Sequence, residues 1–132
     1  MPPKILCGVT IIVVEDHDYV RSVLMEFLSG HGARVIGCGK VSEALEAVIR
    51  ERPDLVLSDI ALPDGDGFQL MRRLRDMDPE IGGNTATIAM SSLGATISNQ
   101  CVLAAGFRSF LGKPFTPQQL LRTIQEALRP QS

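Results

Sequence analysis

At 132 residues the chain has room for one domain with a genuine core and little else. A hydrophobic fraction of 45% and a charged fraction of 21% are ordinary for a soluble globular protein. A net charge of −2 argues against nucleic-acid and anionic-membrane surfaces, both of which want a basic excess.

No apolar run approaches the ~20 residues needed to span a bilayer. The N-terminus, Met1-Pro2-Pro3-Lys4, lacks the apolar segment and small-residue cleavage site of a secretion signal, so a cytoplasmic protein is expected. Three widely spaced cysteines, Cys7, Cys38 and Cys101, show no Cys-x-x-Cys or Cys/His spacing for zinc. Cys38 and Cys101 read as small buried hydrophobes and Cys7 as an exposed thiol. His17 and His31 pair neither with each other nor with a cysteine, which speaks against a ligand role.

Apolar runs alternate with helical patterns along the chain. Val9–Val14 is a β-branched strand run that ends at Glu15-Asp16. Val20, Val23, Leu24, Phe27 and Leu28 then recur at helical spacing, ended by Gly30. After a second strand run, Ala33–Cys38, a second stripe follows at Val41, Ala44, Leu45, Val48 and Ile49, with Ser42 as candidate N-cap. Asp54–Ser58 is the third strand run; it closes on Asp59 and the turn Ala61-Leu62-Pro63-Asp64-Gly65-Asp66-Gly67. Phe68, Leu70, Met71, Leu74 and Met77 form a third stripe, in which Arg72, Arg73 and Arg75 read as a solvated face. A loosely specified loop, Pro79–Thr85, precedes the fourth strand run, Thr87–Met90, with Ser91 at its end. A shorter helical pattern runs from about Thr96 to Ala105. Ser109–Leu111 is the fifth strand run, closing on Lys113-Pro114. Pro117–Leu128 is the last helix, with Thr116 as N-cap and Pro117 at the first helical position.

Five repeats of strand then helix imply an α/β protein: a parallel five-stranded sheet with helices on both faces. The flavodoxin-like (βα)5 three-layer sandwich, strand order 2-1-3-4-5, is the usual solution at this size. We expect one domain at residues 9–129, between a leader of residues 1–8 and a tail of residues 130–132. That strand order puts the first and third strands side by side, bringing Glu15, Asp16 and Asp59 together. Carboxylates converging without neutralisation repel one another, and a hard divalent cation such as magnesium, or manganese, relieves this. With magnesium bound, Asp59 can attack phosphorus and form an acyl phosphate. Lys113 can pair with one phosphoryl oxygen, and the Ser91 hydroxyl can donate to another.

Glu15-Asp16, Asp59 with Pro63 and Gly67 downstream, Ser91, Phe110 and Lys113-Pro114 together resemble the receiver domain of two-component response regulators. The likeness covers about Val9 to Leu128. Each motif is weak alone; the ordered set on a five-fold alternation is specific. The resemblance implies that Asp59 is phosphorylated by a histidine kinase or histidine phosphotransfer protein. It further implies that Glu15, Asp16 and Asp59 arrange Mg2+, with the backbone carbonyl of Ala61 as a further ligand. Ser91 and Phe110 would form the switch that reshapes a surface for an unknown downstream protein. Such a domain catalyses only its own phosphorylation and dephosphorylation. Ser92 stands beside Ser91 where a small apolar residue is common, and Ala61 and Leu93 flank the site with apolar groups. The stretches Pro79–Thr85 and Leu103–Phe107 look like receivers at the C-terminal end of hybrid histidine kinases.

Blander readings exist for each residue. Glu15-Asp16 can cap the first helix, Asp59 can be a turn residue, and Phe110 is core by default. Gly106 to Lys113 fails as a P-loop because Phe107 and Pro114 stand where glycine and Ser/Thr are required. Gly37-Cys38-Gly39 lacks the third glycine of a dinucleotide fingerprint. Asp64-Gly65-Asp66-Gly67 lacks the ligand ladder of a calcium loop and reads as a turn into the third helix. A phosphohydrolase of the haloacid dehalogenase type would place an acid two residues after the nucleophile, where Ala61 stands. A phosphorylation-independent interaction domain is the third class.

Overall fold

β-Branched and leucine-rich runs that are covered on both faces make parallel strands, and five of them form the central sheet. They are β1 (Thr10–Val14), β2 (Arg34–Cys38), β3 (Leu55–Asp59), β6 (Ala86–Ser91) and β7 (Ser109–Gly112). Their order is β2-β1-β3-β6-β7, all parallel, which is the expected 2-1-3-4-5 when these five alone are counted. Two short strands, β4 (Ala61–Leu62) and β5 (Gly65–Asp66), make a separate antiparallel hairpin. The helices are α1 (Asp18–Gly30), α2 (Val41–Glu51), α3 (Gly67–Arg75), α4 (Asn99–Ala104) and α5 (Pro117–Ala127). The structure, a computed structural model, describes residues 5–83, 85–91 and 99–129. Ser92, Leu93 and the first part of the expected fourth helix lie outside the described residues. No helix among the described residues is long and apolar enough to cross a membrane.

Side chains on a strand alternate between faces, and the two cores follow that alternation. Ile12, Val14, Val56 and Ala89 pack with Ala44, Val48, Leu70, Met71 and Leu74 of α2 and α3. Ile11, Val13, Leu57, Ile88 and Met90 pack on the other face with Leu24, Leu28, Leu120 and Ile124 of α1 and α5. Each fully buried Val, Leu, Ile or Met among them contributes roughly 1.5–3 kcal/mol of transfer free energy. Leu6 also sits in this second core, its amide donating to the His31 carbonyl at 2.9 Å.

Helix ends match the sequence in part. Thr116 caps α5 in a full capping box with Gln119, and Pro117 stands at its start. The N-cap of α1 is His17, whose Nδ1 accepts from the Val20 amide, so Glu15 and Asp16 are left for other work. Ser42 does not cap α2: that helix begins at Val41, and its first amides are met by Asp64 from the distant hairpin. Val23 and Ile49, placed in apolar stripes by spacing, are about half exposed. Each stands one residue, or about 100°, away from the buried line of its helix. Cys38 is buried, and burial pushes its thiol up to about 11. Cys101 is exposed rather than buried, because the neighbouring Val102 carries α4's contact with the core. The segment after α3 is not shapeless: Pro79–Gly83 forms one π-helical turn.

Arg75 corrects the reading of α3's arginines as a solvated face. Arg72 and Arg73 are exposed, but the Arg75 guanidinium turns inward. Its Nη1 donates to the Gly83 carbonyl at 2.7 Å; its Nη2 donates to the carbonyls of Thr85 and Gly106 at 3.1 and 3.0 Å and to Thr87 Oγ1 at 3.4 Å. One side chain thus ties α3 to both loops that flank β6. Replacing it with an apolar side chain strands several acceptors away from water. Arg75→Met should therefore lower unfolding free energy by about 2–4 kcal/mol. In urea denaturation the midpoint should fall without a change in slope; a cost under about 0.5 kcal/mol would show that these bonds are replaced by water.

Candidate functional site at the C-terminal ends of β1, β3 and β7

Open parallel sheets leave a crevice beyond their carboxyl ends where the strand order reverses, and β1 and β3 meet there. The backbone extends the β1 ladder one residue past its end, Glu15 N–H donating to the Cys38 carbonyl at 2.9 Å. Arg21 of α1 donates to the Glu15 carbonyl at 2.8 Å, so the acidic turn is held from both sides. Glu15 itself is buried, only 2% exposed. Asp59, the last residue of β3, is 8% exposed and in register with Met90 of β6. Past it the chain folds back at once: Gly67 N–H donates to the Ile60 carbonyl at 2.7 Å. A Cβ on Gly67 would stand 2.9 Å from the Asp59 carbonyl oxygen, so the turn closes this tightly only around glycine.

Lys113 follows β7, its amide donating to the Ser91 carbonyl at 2.9 Å. Its Nζ donates to Asp59 Oδ2 at 2.8 Å and to Glu15 Oε1 at 3.2 Å. Asp59 Oδ1 accepts from the Ala61 amide at 3.2 Å. Ligand oxygens of Glu15, Asp16 and Asp59 all lie within 4.8 Å of one another. Glu15 Oε2 is buried and has no hydrogen-bond partner among the described residues. Two buried acids therefore share one ammonium group, with exposed Asp16 beside them, and one oxygen of Glu15 is left without a partner among the described residues. Burial, and then the Asp59 carboxylate beside it, raise Glu15 to about 7, while Lys113 opposes the shift. Burial also works against the charge on Asp59, but Glu15 and Lys113 outweigh it and hold Asp59 below the usual carboxylate range. Lys113 is held above its ordinary value in return, its burial more than offset by Asp59 and Glu15.

The structure thus brings together Glu15, Asp16, Asp59, the Ala61 amide and Lys113. Ser91 ends the neighbouring strand β6 and is buried. Phe110 on β7 is half buried against the α2–α3 core, which suits both core and switch readings. Two residues that hold the site were missed in the sequence. Arg21 sits one helical turn into α1, and nothing in its spacing marks a bond back to Glu15. Asp64 follows Pro63 in the hairpin, and the helix it caps lies more than twenty residues upstream.

This geometry can be set beside known proteins. The response regulator receiver domain family matches residues 11–125. The chain belongs to that family. It is 35% identical over 121 residues to an uncharacterized 14.6 kDa protein of Leptolyngbya boryana, covering 92% of this chain and 91% of that one. It is 31% identical to the KDP operon transcriptional regulatory protein KdpE of Escherichia coli K12, over 92% of this chain but 52% of that protein. The receiver therefore spans about half the length of such a regulator. Among solved structures it resembles the receiver domain of the sensor histidine kinase PA1611 of Pseudomonas aeruginosa PAO1. That likeness has a TM-score of 0.82 and 30% identity over 92% of this chain and 98% of that one, and the PA1611 structure has a magnesium ion coordinated in its active-site cleft. The acidic cluster of this receiver lies at the family's phosphorylation site.

The raised Glu15 value has a consequence for stability. In the native receiver Glu15 holds its proton up to about 7, while in the unfolded chain it loses it near 4.5. Between those values the native state binds more protons, so stability falls as pH rises. The depressed Asp59 acts in the opposite sense, but only at pH below its ordinary 3.8. In chelator-treated protein, unfolding free energy should drop by about 1–3 kcal/mol from pH 5 to 7. Glu15→Gln should flatten that slope; an equally steep slope in the variant would remove Glu15 as its source.

Proposed function

We propose that this receiver accepts a phosphoryl group on Asp59 from a phosphohistidine donor, and that the phosphorylated form presents a changed surface to a downstream protein. The observation that carries this is the buried acid cluster: a Glu15 Oε2 without a hydrogen-bond partner among the described residues, next to an Asp59 held ionised by Glu15, Lys113 and the Ala61 amide.

The residues fit a hard divalent cation. Every donor is oxygen, three carboxylates converge, and the bare Glu15 oxygen is the group a cation would satisfy. Glu15, Asp16 and Asp59 would hold magnesium or manganese, with the Ala61 carbonyl as a further ligand. Bound there, the cation supplies positive charge against which a phosphoryl group can approach the acids.

The protein's own groups do the rest. An ionised Asp59 oxygen attacks phosphorus; a P–O bond forms as the P–N bond to the donor imidazole breaks, and that electron pair leaves with the ring nitrogen. Asp59 is suited to this because its partners outweigh the effect of burial, so the nucleophile keeps its charge although it is taken out of water. Lys113 moves from Asp59 Oδ2 to a phosphoryl oxygen, keeping one charge-assisted bond throughout. Ser91, buried at the end of β6, donates its hydroxyl to another oxygen, and Phe110 turns inward behind it. Phosphorylation thereby shifts an equilibrium between two surface shapes. The donor is a histidine kinase or histidine phosphotransfer protein. The receiver otherwise catalyses only its own phosphorylation and dephosphorylation, and the same reading implies a cytoplasmic location.

Intact-mass spectrometry after incubation with acetyl phosphate tests this. One phosphoryl adduct should form on the wild type with magnesium, and none without magnesium or on Asp59→Asn. An adduct that persists on Asp59→Asn would contradict the assignment. So would a folded wild type that gives no adduct and binds no beryllofluoride.

A further inference from the structure

We propose that Asp64 is a positioning residue for the Asp59 acceptor: it tethers the 61–66 hairpin to the N-terminus of α2, and that tether sets the geometry at Asp59. The proposal rests on the phosphoacceptor function inferred above.

The first amides of a helix have no partner within the helix and carry its positive dipole end. In α2 the residue at the N-cap is Lys40, which is extended and offers no capping bond. Asp64 fills that role from the far side of the site, Oδ1 accepting from Val41 N–H at 2.7 Å and Oδ2 from Ser42 N–H at 3.1 Å. These bonds hold the Asp64 carboxyl below its usual range although desolvation opposes them.

What they anchor is a small rigid unit. Ala61 pairs with Asp66 and Leu62 with Gly65, so Pro63-Asp64 is the tip of a two-rung hairpin. At its base Gly67 N–H closes on the Ile60 carbonyl, and the Ala61 amide donates to Asp59 Oδ1. A two-rung hairpin has no stability of its own, so its orientation depends on what it docks against. Leu62 gives it an apolar anchor in the α2–α3 core, which fixes depth. The directional anchor is Asp64. Loss of it frees the hairpin to pivot about Leu62, and the Ala61 amide is carried away from Asp59 Oδ1.

The test separates a tether from an ordinary helix cap. Asp64→Ala removes both roles. Asp64→Ala/Lys40→Ser restores a cap to α2 locally but leaves the hairpin untethered. Asp64→Asn keeps one of the two acceptor oxygens, the stronger bond being to Val41 N–H, and is the conservative partial rescue. With acetyl phosphate and magnesium, the phosphorylation rate of Asp64→Ala should fall about tenfold, the low end of what losing an outer partner of a metal site does. The double variant should regain wild-type melting temperature and stay slow, while Asp64→Asn should fall between Asp64→Ala and the wild type. In the same proteins, hydrogen exchange at the Ala61 amide should speed up in Asp64→Ala and in the double variant, and less in Asp64→Asn. An unchanged rate in Asp64→Ala would overturn the proposal. So would a rate restored by Lys40→Ser together with the melting temperature, since Asp64 would then act only through α2. A wild type that takes up no phosphoryl group overturns the phosphoacceptor function instead.

Discussion

The burial of two carboxylates, Glu15 and Asp59, around the Lys113 ammonium group is the constraint on which the structure depends. Water would solvate Glu15 and Asp59 well, but the ends of β1 and β3 exclude it, and Lys113 reaches only one oxygen of each. A charge taken out of water costs several kcal/mol unless it is paired and hydrogen-bonded. The chain settles this unequally: Asp59 keeps its charge, and Glu15 retains a proton up to about 7. Such an arrangement does little for the fold and suits a site that gains when positive charge, or a group bearing it, arrives.

The surrounding architecture holds that arrangement in place. A parallel sheet covered on both faces keeps its strand ends fixed relative to one another, so acids at the ends of β1 and β3 cannot drift apart to relieve repulsion. The turns beyond those ends are tied down by a few residues each. Arg21 fastens the Glu15 carbonyl, Gly67 lets the chain double back on Asp59, and Asp64 joins the hairpin to α2. Further from the chemistry, Arg75 binds α3 to the loops on either side of β6, the strand that ends at Ser91. The site is thus built from loops whose positions are set by a few polar side chains acting across the sequence.

Much of this was legible in the chain. Asp59, Glu15-Asp16 and Lys113 each close an apolar strand run, and the 2-1-3-4-5 order brings the three acids together by topology alone, while Lys113 reaches them with its long side chain from the edge strand. Thr116-Pro117 marks a helix start because its capping partners are three residues away. What escaped reading was the non-local polar work. Arg75 looks solvated by helical spacing, but its long stem lets the guanidinium reach carbonyls 8 to 31 residues distant. Asp64 looks like a turn residue, while Ser42 looks like the cap whose place Asp64 takes. Val23 and Ile49 show that apolar spacing overestimates the width of a helix's buried stripe, and Cys101 that a small side chain on a short helix can face either way.

The measurement closest to the central claim is the number of protons released when magnesium binds, read by calorimetry at about pH 6 in buffers of different ionisation enthalpy. If Glu15 is protonated in the empty receiver, cation binding must displace that proton, so release should approach roughly one proton per site. Glu15→Gln should abolish it. Magnesium binding with no proton release by the wild type would contradict the account, for the buried Glu15 carboxyl would then already be ionised rather than hold its proton up to about 7.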